Sequence, residues 1–448
     1  MGGGGNSLAS TSCGDDKKRR VCYYYDAGIA SADYGEHHVM VPKRVTMAHN
    51  LVSAYGLLGH MRRLRTAPAT ESDLAAFHDA GYLALLRSGA GDADRGVDAA
   101  GERGGGGFDD NPAFDGLWDY CLRYAGGSLA AARALAGDSS DIAINWSGGM
   151  HHACAGKASG FCYVNDIVLA IRALLGRFRR VLYVDVDVHH GDGVEAAFAG
   201  SSRVMTVSFH QHGDNFFPES GELKIVGKGQ DERCAVVNVP LKKGFGDEEY
   251  HQLFEPIMGR VMEVFDPEAV VMQCGADSLD GDRLGSLKLT LNGHAQCVSF
   301  LRSFNRPLLL LGGGGYTINH VASCWCNETA VAIGKDIPND IPKHGFDQFY
   351  QNHGYRLHYT LSQGDKNKKN AKYVDVHKPS IDKLKQQVLE NLSKLKLEPV
   401  ASVQFEERGR SIDVDALYES REDEESPSER LYRKCYLENK CRKQRRLR

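Results

Sequence analysis

The sequence predicts an α/β fold built on a parallel sheet, and three observations carry that reading. Apolar runs such as Val181 to Val184, unrelieved by polar alternation, are what strands covered on both faces look like. From residue 141 onward the pattern strand, helix, strand recurs, as in βαβ units. The residues able to do chemistry follow the ends of those runs at glycine turns, where open parallel sheets carry their sites.

The 448 residues are 42% hydrophobic and 25% charged, an ordinary globular composition with room for one large α/β domain plus tails, or two domains. A net charge of -4 and a pI near 6.5 argue against bulk-charge binding to nucleic acid, so no direct DNA contact is expected. No apolar run approaches the about 18 residues of a membrane span. Twelve Cys are scattered, several in apolar runs. Without a signal-peptide pattern they read as reduced, buried thiols in a reducing compartment. Cys324-Trp325-Cys326 is too tight for a metal knuckle and reads as packing. The start is a near miss for myristoylation, with Asn6 where Ser or Thr is needed.

Taken in order, residues 1–17 form a Gly-rich flexible tail. A basic run, Lys17 to Arg20, precedes a first strand at Val21 to Tyr25. It is either a solvated flank or a nuclear import signal. A helical pattern covers Val45 to about Leu64, and Thr70 or Ser72 caps the next helix. Gly89 to Gly107 reads as a surface loop ending in Asp109 and Asp110, either of which could hold a peptide amide if the loop borders a pocket. An Ala-rich helix, Tyr124 to Ala136, should pack closely. Strands follow at Asp141–Trp146, Val204–His210, Val236–Leu241, Ala269–Cys274 and Pro307–Leu311, with helices at Ile167–Leu175 and Glu248–Phe265. Beyond about 390 the strand pattern ends, and residues 391–448 form a charged, disordered tail with a basic end at Arg442 to Arg448.

The chemistry centres on Val181 to Gly193. Asp185, Asp187 and His189 fall at every second position, so on a strand they share one side, opposite Val184, Val186 and Val188. Burying such carboxylates unpaired costs several kcal/mol or more, and the run contains no Lys or Arg; a cation is required. Asp and His suit zinc with an open position for water. Asp277, just past another strand, is the candidate third ligand, giving Asp187, His189 and Asp277. His151 and His152 follow a buried strand and a Gly turn, which favours a general base. Gly312 to Gly315 lacks both phosphate-loop and dinucleotide spacing, so it allows close approach to a ligand, with Tyr316 either offering its hydroxyl or filling core.

Assembled, these pieces resemble the zinc-dependent histone deacetylases of class I type. The motifs are Trp146-x-Gly-Gly-Met-His151-His152, Ser159 to Asp166, Asp185-Val-Asp187-Val-His189-His-Gly-Asp192-Gly, Cys274-Gly-Ala-Asp277-Ser-Leu and the Gly run with Tyr316-Thr317, in family order over residues 18 to 380. The resemblance implies a single α/β domain at 18–390 with a central eight-stranded parallel sheet of the arginase/deacetylase type. It implies a zinc hydrolase acting on acetylated histone tails and possibly other proteins, in nuclear chromatin repression with corepressor subunits. His151 and His152 would be the catalytic pair, oriented by Asp185 and Asp192, and Tyr316 the oxyanion donor. Phe161 and Phe217 would flank the acetyl-lysine tunnel, lined by Gly160, Leu284 and Gly314, with Asp110 at the rim. Potassium would sit on Asp185, Asp187, His189, Ser208 and Phe209.

Two positions depart from the family. Val41 stands in place of Lys and Asn319 in place of Arg, leaving Arg283 alone of the set that helps hold an inositol phosphate at a corepressor interface. The aromatic loop at Phe216-Phe217 is also one residue longer than usual. Rival readings are an arginase-like ureohydrolase, opposed by Gly275 where a second metal needs Asp, an acetylpolyamine amidohydrolase, and a catalytically weak corepressor scaffold.

Overall fold

The computed structural model describes residues 19–89, 110–224, 235–359 and 366–397, with backbone alone for 366–379. Its centre is one sheet of eight strands, all parallel, in the order β2-β1-β3-β8-β7-β4-β5-β6. The strands are β1 Val21–Tyr24, β2 Arg62–Leu64, β3 Ile142–Asn145, β4 Val181–Asp185, β5 Val204–Gln211, β6 Val236–Leu241, β7 Ala269–Gln273 and β8 Leu308–Leu311. Both faces are covered, as expected of a parallel sheet. Along β4, Val181 and Tyr183 pack with α4 (Leu117–Ala136) and α5 (Asp166–Leu175). Leu182 and Val184 pack in the opposite layer, with α1 (Lys43–Ala54), α7 (Asp247–Phe265), α8 (Leu291–Arg302) and α9 (Ile318–Ala332). Shorter helices are α2 Glu71–Leu74, α3 Ala80–Ser88 and α6 Asp192–Phe198. The last, α10, spans Lys366–Lys394 and buries Leu392. No described helix is long and apolar enough to cross a membrane.

Three local expectations need correction. The tail expected from 391 does not start there: α10 carries on to Lys394, and Leu392 is buried in the core. The helix expected from Val45 to Leu64 is α1, which stops at Ala54. Gly56 follows in the left-handed region at φ 72°, a conformation glycine adopts without steric cost. The chain then turns through Leu57–His60 into β2, whose Arg62 and Arg63 hide a strand from any apolar pattern. The strand carrying the Asp/His run also ends early, at Asp185, so Asp187 and His189 lie on the loop beyond it. The cap at Thr70 is a full capping box with Asp73. The Ala-rich helix does pack closely: a Cβ at Gly126 would lie 2.2 Å from the Ala67 carbonyl. Residues 90–109, which hold most of the expected surface loop and Asp109, lie outside the described residues, as do Lys17, Lys18 and the basic end. Arg20 from the first basic run pairs with Asp138 and Asp141. All eight described cysteines are free.

His78 links the fold to the site. Its Nε2 accepts the Asn165 N–H at the start of α5, at 3.0 Å, and its Nδ1 donates to the Ala155 carbonyl at 3.1 Å. Burial pushes its pKa from 6.5 down to about 4. The unfolded chain therefore takes up this proton more readily. The stability it confers is present above about pH 6.5 and lost as pH falls toward 4, by about 3 kcal/mol in all. We expect urea midpoints to drop over that window, and less steeply in His78→Gln, which can still accept from Asn165. An identical slope in the variant would move the acid sensitivity to other groups.

Candidate active site

Four adjacent strands, β3, β8, β7 and β4, end at one edge of the sheet, and each delivers part of one pocket. After β3, Gly149 turns at φ 99°, and the Gly149 and Met150 N–H groups donate to the buried Asp166 carboxylate at 3.0 and 2.9 Å. That turn presents His151 and His152, whose rings lie 3.9 Å apart. His151 Nδ1 meets Asp185 at 2.8 Å and His152 Nδ1 meets Asp192 at 2.7 Å. Asp185 is wholly buried whereas the Asp192 side chain is 27% exposed. Burial disfavours charge on both rings. At His151 the Asp185 and Asp187 carboxylates outweigh it and raise the pKa to about 9. At His152 burial and the neighbouring His151 charge lower it to about 4. A site that both accepts and returns a proton needs two groups driven apart in this way.

Beyond β4 and β7, Asp187, His189 and Asp277 bring their ligand atoms within 4.8 Å of one another, all buried. Backbone amides fix the carboxylates. Gly314 N–H donates to Asp187 Oδ2 at 2.7 Å, and Val188 N–H to Asp277 Oδ1 at 2.9 Å. His189 Nδ1 stands 3.1 Å from Asp187 and 3.2 Å from Asp277, yet Asp277 Oδ2 is buried and accepts no hydrogen bond. Burial and the Asp187 charge push the Asp277 pKa up to about 7. Two buried carboxylates, one imidazole and an orphaned oxygen fit a divalent cation, and the donor set suits zinc. At Gly275 a Cβ would lie 2.0 Å from Asp187 Oδ2, so no further ligand side chain fits there.

From β8 the Gly run brings Tyr316 to the pocket, 94% buried. Burial and the Asp277 and Asp187 charges hold its hydroxyl in the protonated form well above the usual pH. The walls are aromatic. Phe161 crosses Tyr316 at 5.7 Å, Phe217 crosses His152 at 5.0 Å, and Phe216 stacks on His189 at 5.0 Å. A Cβ at Gly160 would meet the His152 ring at 2.4 Å. A Cβ at Gly314 would lie 2.0 Å from Asp277 Oδ2 and 2.8 Å from Asp187 Oδ2, and half-buried Leu284 sits in the loop that Asp282 folds. Asp110 is exposed beside His38, whose ring is 4.8 Å from Phe161. Asp185 pairs in register with Ser208, whose Oγ is bonded to His210, and Phe209 packs on Phe254 in the core. Arg283 is exposed, and Asn319 lies on α9, 3.5 Å from His353.

Several working residues escaped the sequence reading. Gln273 donates to Asp187 at 2.8 Å, and a lone Gln ending an apolar strand was the available signal. Asp282 accepts the Leu284, Gly285, Tyr316 and Thr317 amides, tying two site loops together. Buried Arg44 donates to the Gly313 and Gly315 carbonyls and lies 6.0 Å from the Tyr316 ring; nothing in its local sequence marks it.

Groups able to pass a proton stand beside a cluster suited to a cation, and that combination defines a hydrolase pocket. The model of the histone deacetylase domain matches residues 38–332. The chain is 50% identical to "Histone deacetylase 3" of Oryza sativa subsp. japonica over 433 residues, 96% of this chain and 81% of that one. It is 49% identical to "Histone deacetylase 19" of Arabidopsis thaliana, covering 94% and 81%. With "Histone deacetylase 1" of Homo sapiens the identity is 46%, covering 86% and 78%. The chain belongs to the histone deacetylase family.

The crowding at Gly275 gives a direct check. Gly275→Ala should displace the Asp187 carboxylate and weaken divalent-metal binding by about tenfold or more, with an unchanged far-ultraviolet circular dichroism spectrum. Unaltered affinity would mean that Asp187 does not need its observed position.

Proposed function

We propose that this pocket removes acetyl groups from lysine side chains of histone tails, with Asp187, His189 and Asp277 holding one zinc ion. The observation that carries the reading is the orphaned Asp277 oxygen, inside a buried anionic cluster that adjoins two His–Asp pairs. When bound, the metal supplies a Lewis acid that polarises the acetyl carbonyl and acidifies water. The protein does the rest. One imidazole of the His151–His152 pair takes the water proton, and the pair returns a proton to the departing lysine amine. Asp185 and Asp192 keep each ring oriented through Nδ1. Tyr316 donates to the developing oxyanion, a contact typically worth ~3–4 kcal/mol. Phe161 and Phe217, with Gly160, Leu284 and Gly314, line a passage for the apolar lysine stem, and Asp110 grips the substrate backbone at the rim. A peptide offers that carboxylate backbone N–H donors, which an acetylated polyamine lacks.

A potassium ion on Asp185, Asp187, His189, Ser208 and Phe209 accompanies this reading, as do a nuclear role in chromatin repression and corepressor subunits as partners. A tail at 1–17 precedes the catalytic domain, and the domain runs past the expected boundary at 390, because α10 continues to Lys394 and buries Leu392; a charged tail follows it. With Val41 and Asn319 in place of basic residues and Arg283 alone remaining, inositol-phosphate regulation is weak or absent. The double variant Val41→Lys, Asn319→Arg should gain an inositol-phosphate response; no gain would assign the insensitivity to other positions.

Purified protein should hydrolyse an acetylated histone-tail peptide faster than acetylspermidine, and chelator should abolish the activity. Tyr316→Phe should lose about 10²–10³ in kcat. A variant with wild-type kcat would remove Tyr316 from the mechanism, and inactivity of the wild type, alone and in nuclear extract, would favour the scaffold reading.

A further inference from the structure

Between the layers, away from the pocket, lies a second polar cluster. His294 on α8 and Glu328 on α9 are both fully buried, and His294 Nδ1 meets Glu328 Oε1 at 2.7 Å. Such a pair is a poor device for stability. Desolvation offsets most of its Coulomb energy, and apolar side chains of equal volume often serve as well or better. Glu328 Oε2 is left without a partner. What the pair does accomplish is seen at the other side of the ring, where His294 Nε2 donates to the Gly275 carbonyl at 2.8 Å.

Gly275 lies two residues before Asp277, in a segment that leaves β7 and has no sheet partner of its own beyond Cys274. Its polar groups are fixed one at a time. The Cys274 carbonyl accepts from Trp325 Nε1 at 2.9 Å, the Gly275 N–H donates to Gln273 at 2.7 Å, and the Ala276 N–H donates to the Gly314 carbonyl at 3.0 Å. Trp325 and Glu328 are three residues apart on α9 and so share a face. The crowding of Gly275 against Asp187 leaves this segment little room, so a shift of its carbonyl would reach both carboxylates.

Resting on the reading of Asp277 as a metal ligand, we propose that His294 and Glu328 are positioning residues, a strut that sets the Gly275–Asp277 segment and thereby tunes zinc affinity. The trio His294, Cys324 and Glu328 also has ligand atoms within 4.8 Å of one another, and it is assigned to the strut because His294 Nε2 is committed to the Gly275 carbonyl.

The test is zinc affinity, measured by competition with a chromophoric chelator, alongside kcat, KM and zinc stoichiometry. The double variant His294→Leu, Glu328→Leu leaves no unpaired buried charge. It should bind zinc about tenfold more weakly, with kcat reduced by a similar factor and KM changed by less than about twofold. His294→Gln, which can still donate to Gly275, should stay within about threefold of wild type. Glu328→Gln conserves volume and carries the same test at smaller amplitude if the double variant does not fold. Wild-type affinity in both the double variant and Glu328→Gln would overturn the strut. So would a second zinc per chain that the double variant loses, since the trio would then be the site. Zinc held undiminished by Asp277→Asn would bring down the ligand reading itself, and this proposal with it.

Discussion

Two carboxylates, Asp187 and Asp277, are buried without exposure at the edge of the sheet with only His189 between them. In water they would repel weakly; in the interior the same charges are expensive to hold. The surrounding structure answers this constraint. Gly314 and Val188 offer backbone amides, Gln273 a side-chain amide, and Gly275 the space that a side chain would deny. One oxygen is left over, the place that the proposed cation would fill.

The parallel sheet makes the arrangement possible. Side chains from β3, β4, β7 and β8 would be far apart in sequence order, yet these strands are spatial neighbours with their carboxyl ends aligned. Crossover helices cover both faces, so the loops at this edge are free to specialise. Secondary contacts then lock loop to loop. Asp166 holds the turn of the His pair, Asp282 joins the Leu284 loop to Tyr316, and Arg44 binds the Gly run from outside.

Much of this was legible in the sequence. Strands buried on both faces announce themselves as apolar runs, and β6 was read to the residue at Val236–Leu241. The Asp/His run stood out because buried carboxylates require a partner, and the tandem His because it follows a buried strand at a Gly turn, whereas Tyr316 stayed ambiguous until the family resemblance was drawn. β2 was missed because three residues with two Arg carry no apolar signal. Period-two alternation was right about which residues gather but wrong about why. Asp187 and His189 reach the pocket from a loop, held there by hydrogen bonds that no local pattern encodes. Arg44 and the His294–Glu328 pair escaped for the same reason, their partners lying more than 30 residues away.

One buried cluster at the sheet edge is proposed to hold one zinc ion. Anomalous X-ray diffraction from crystals of the zinc-loaded protein, collected on both sides of the zinc absorption edge, addresses it directly. The expected result is a single edge-dependent peak bonded to Asp187, His189 and Asp277. A peak at His294, Cys324 and Glu328 instead, or two peaks within the pocket as in a two-metal hydrolase, would contradict it.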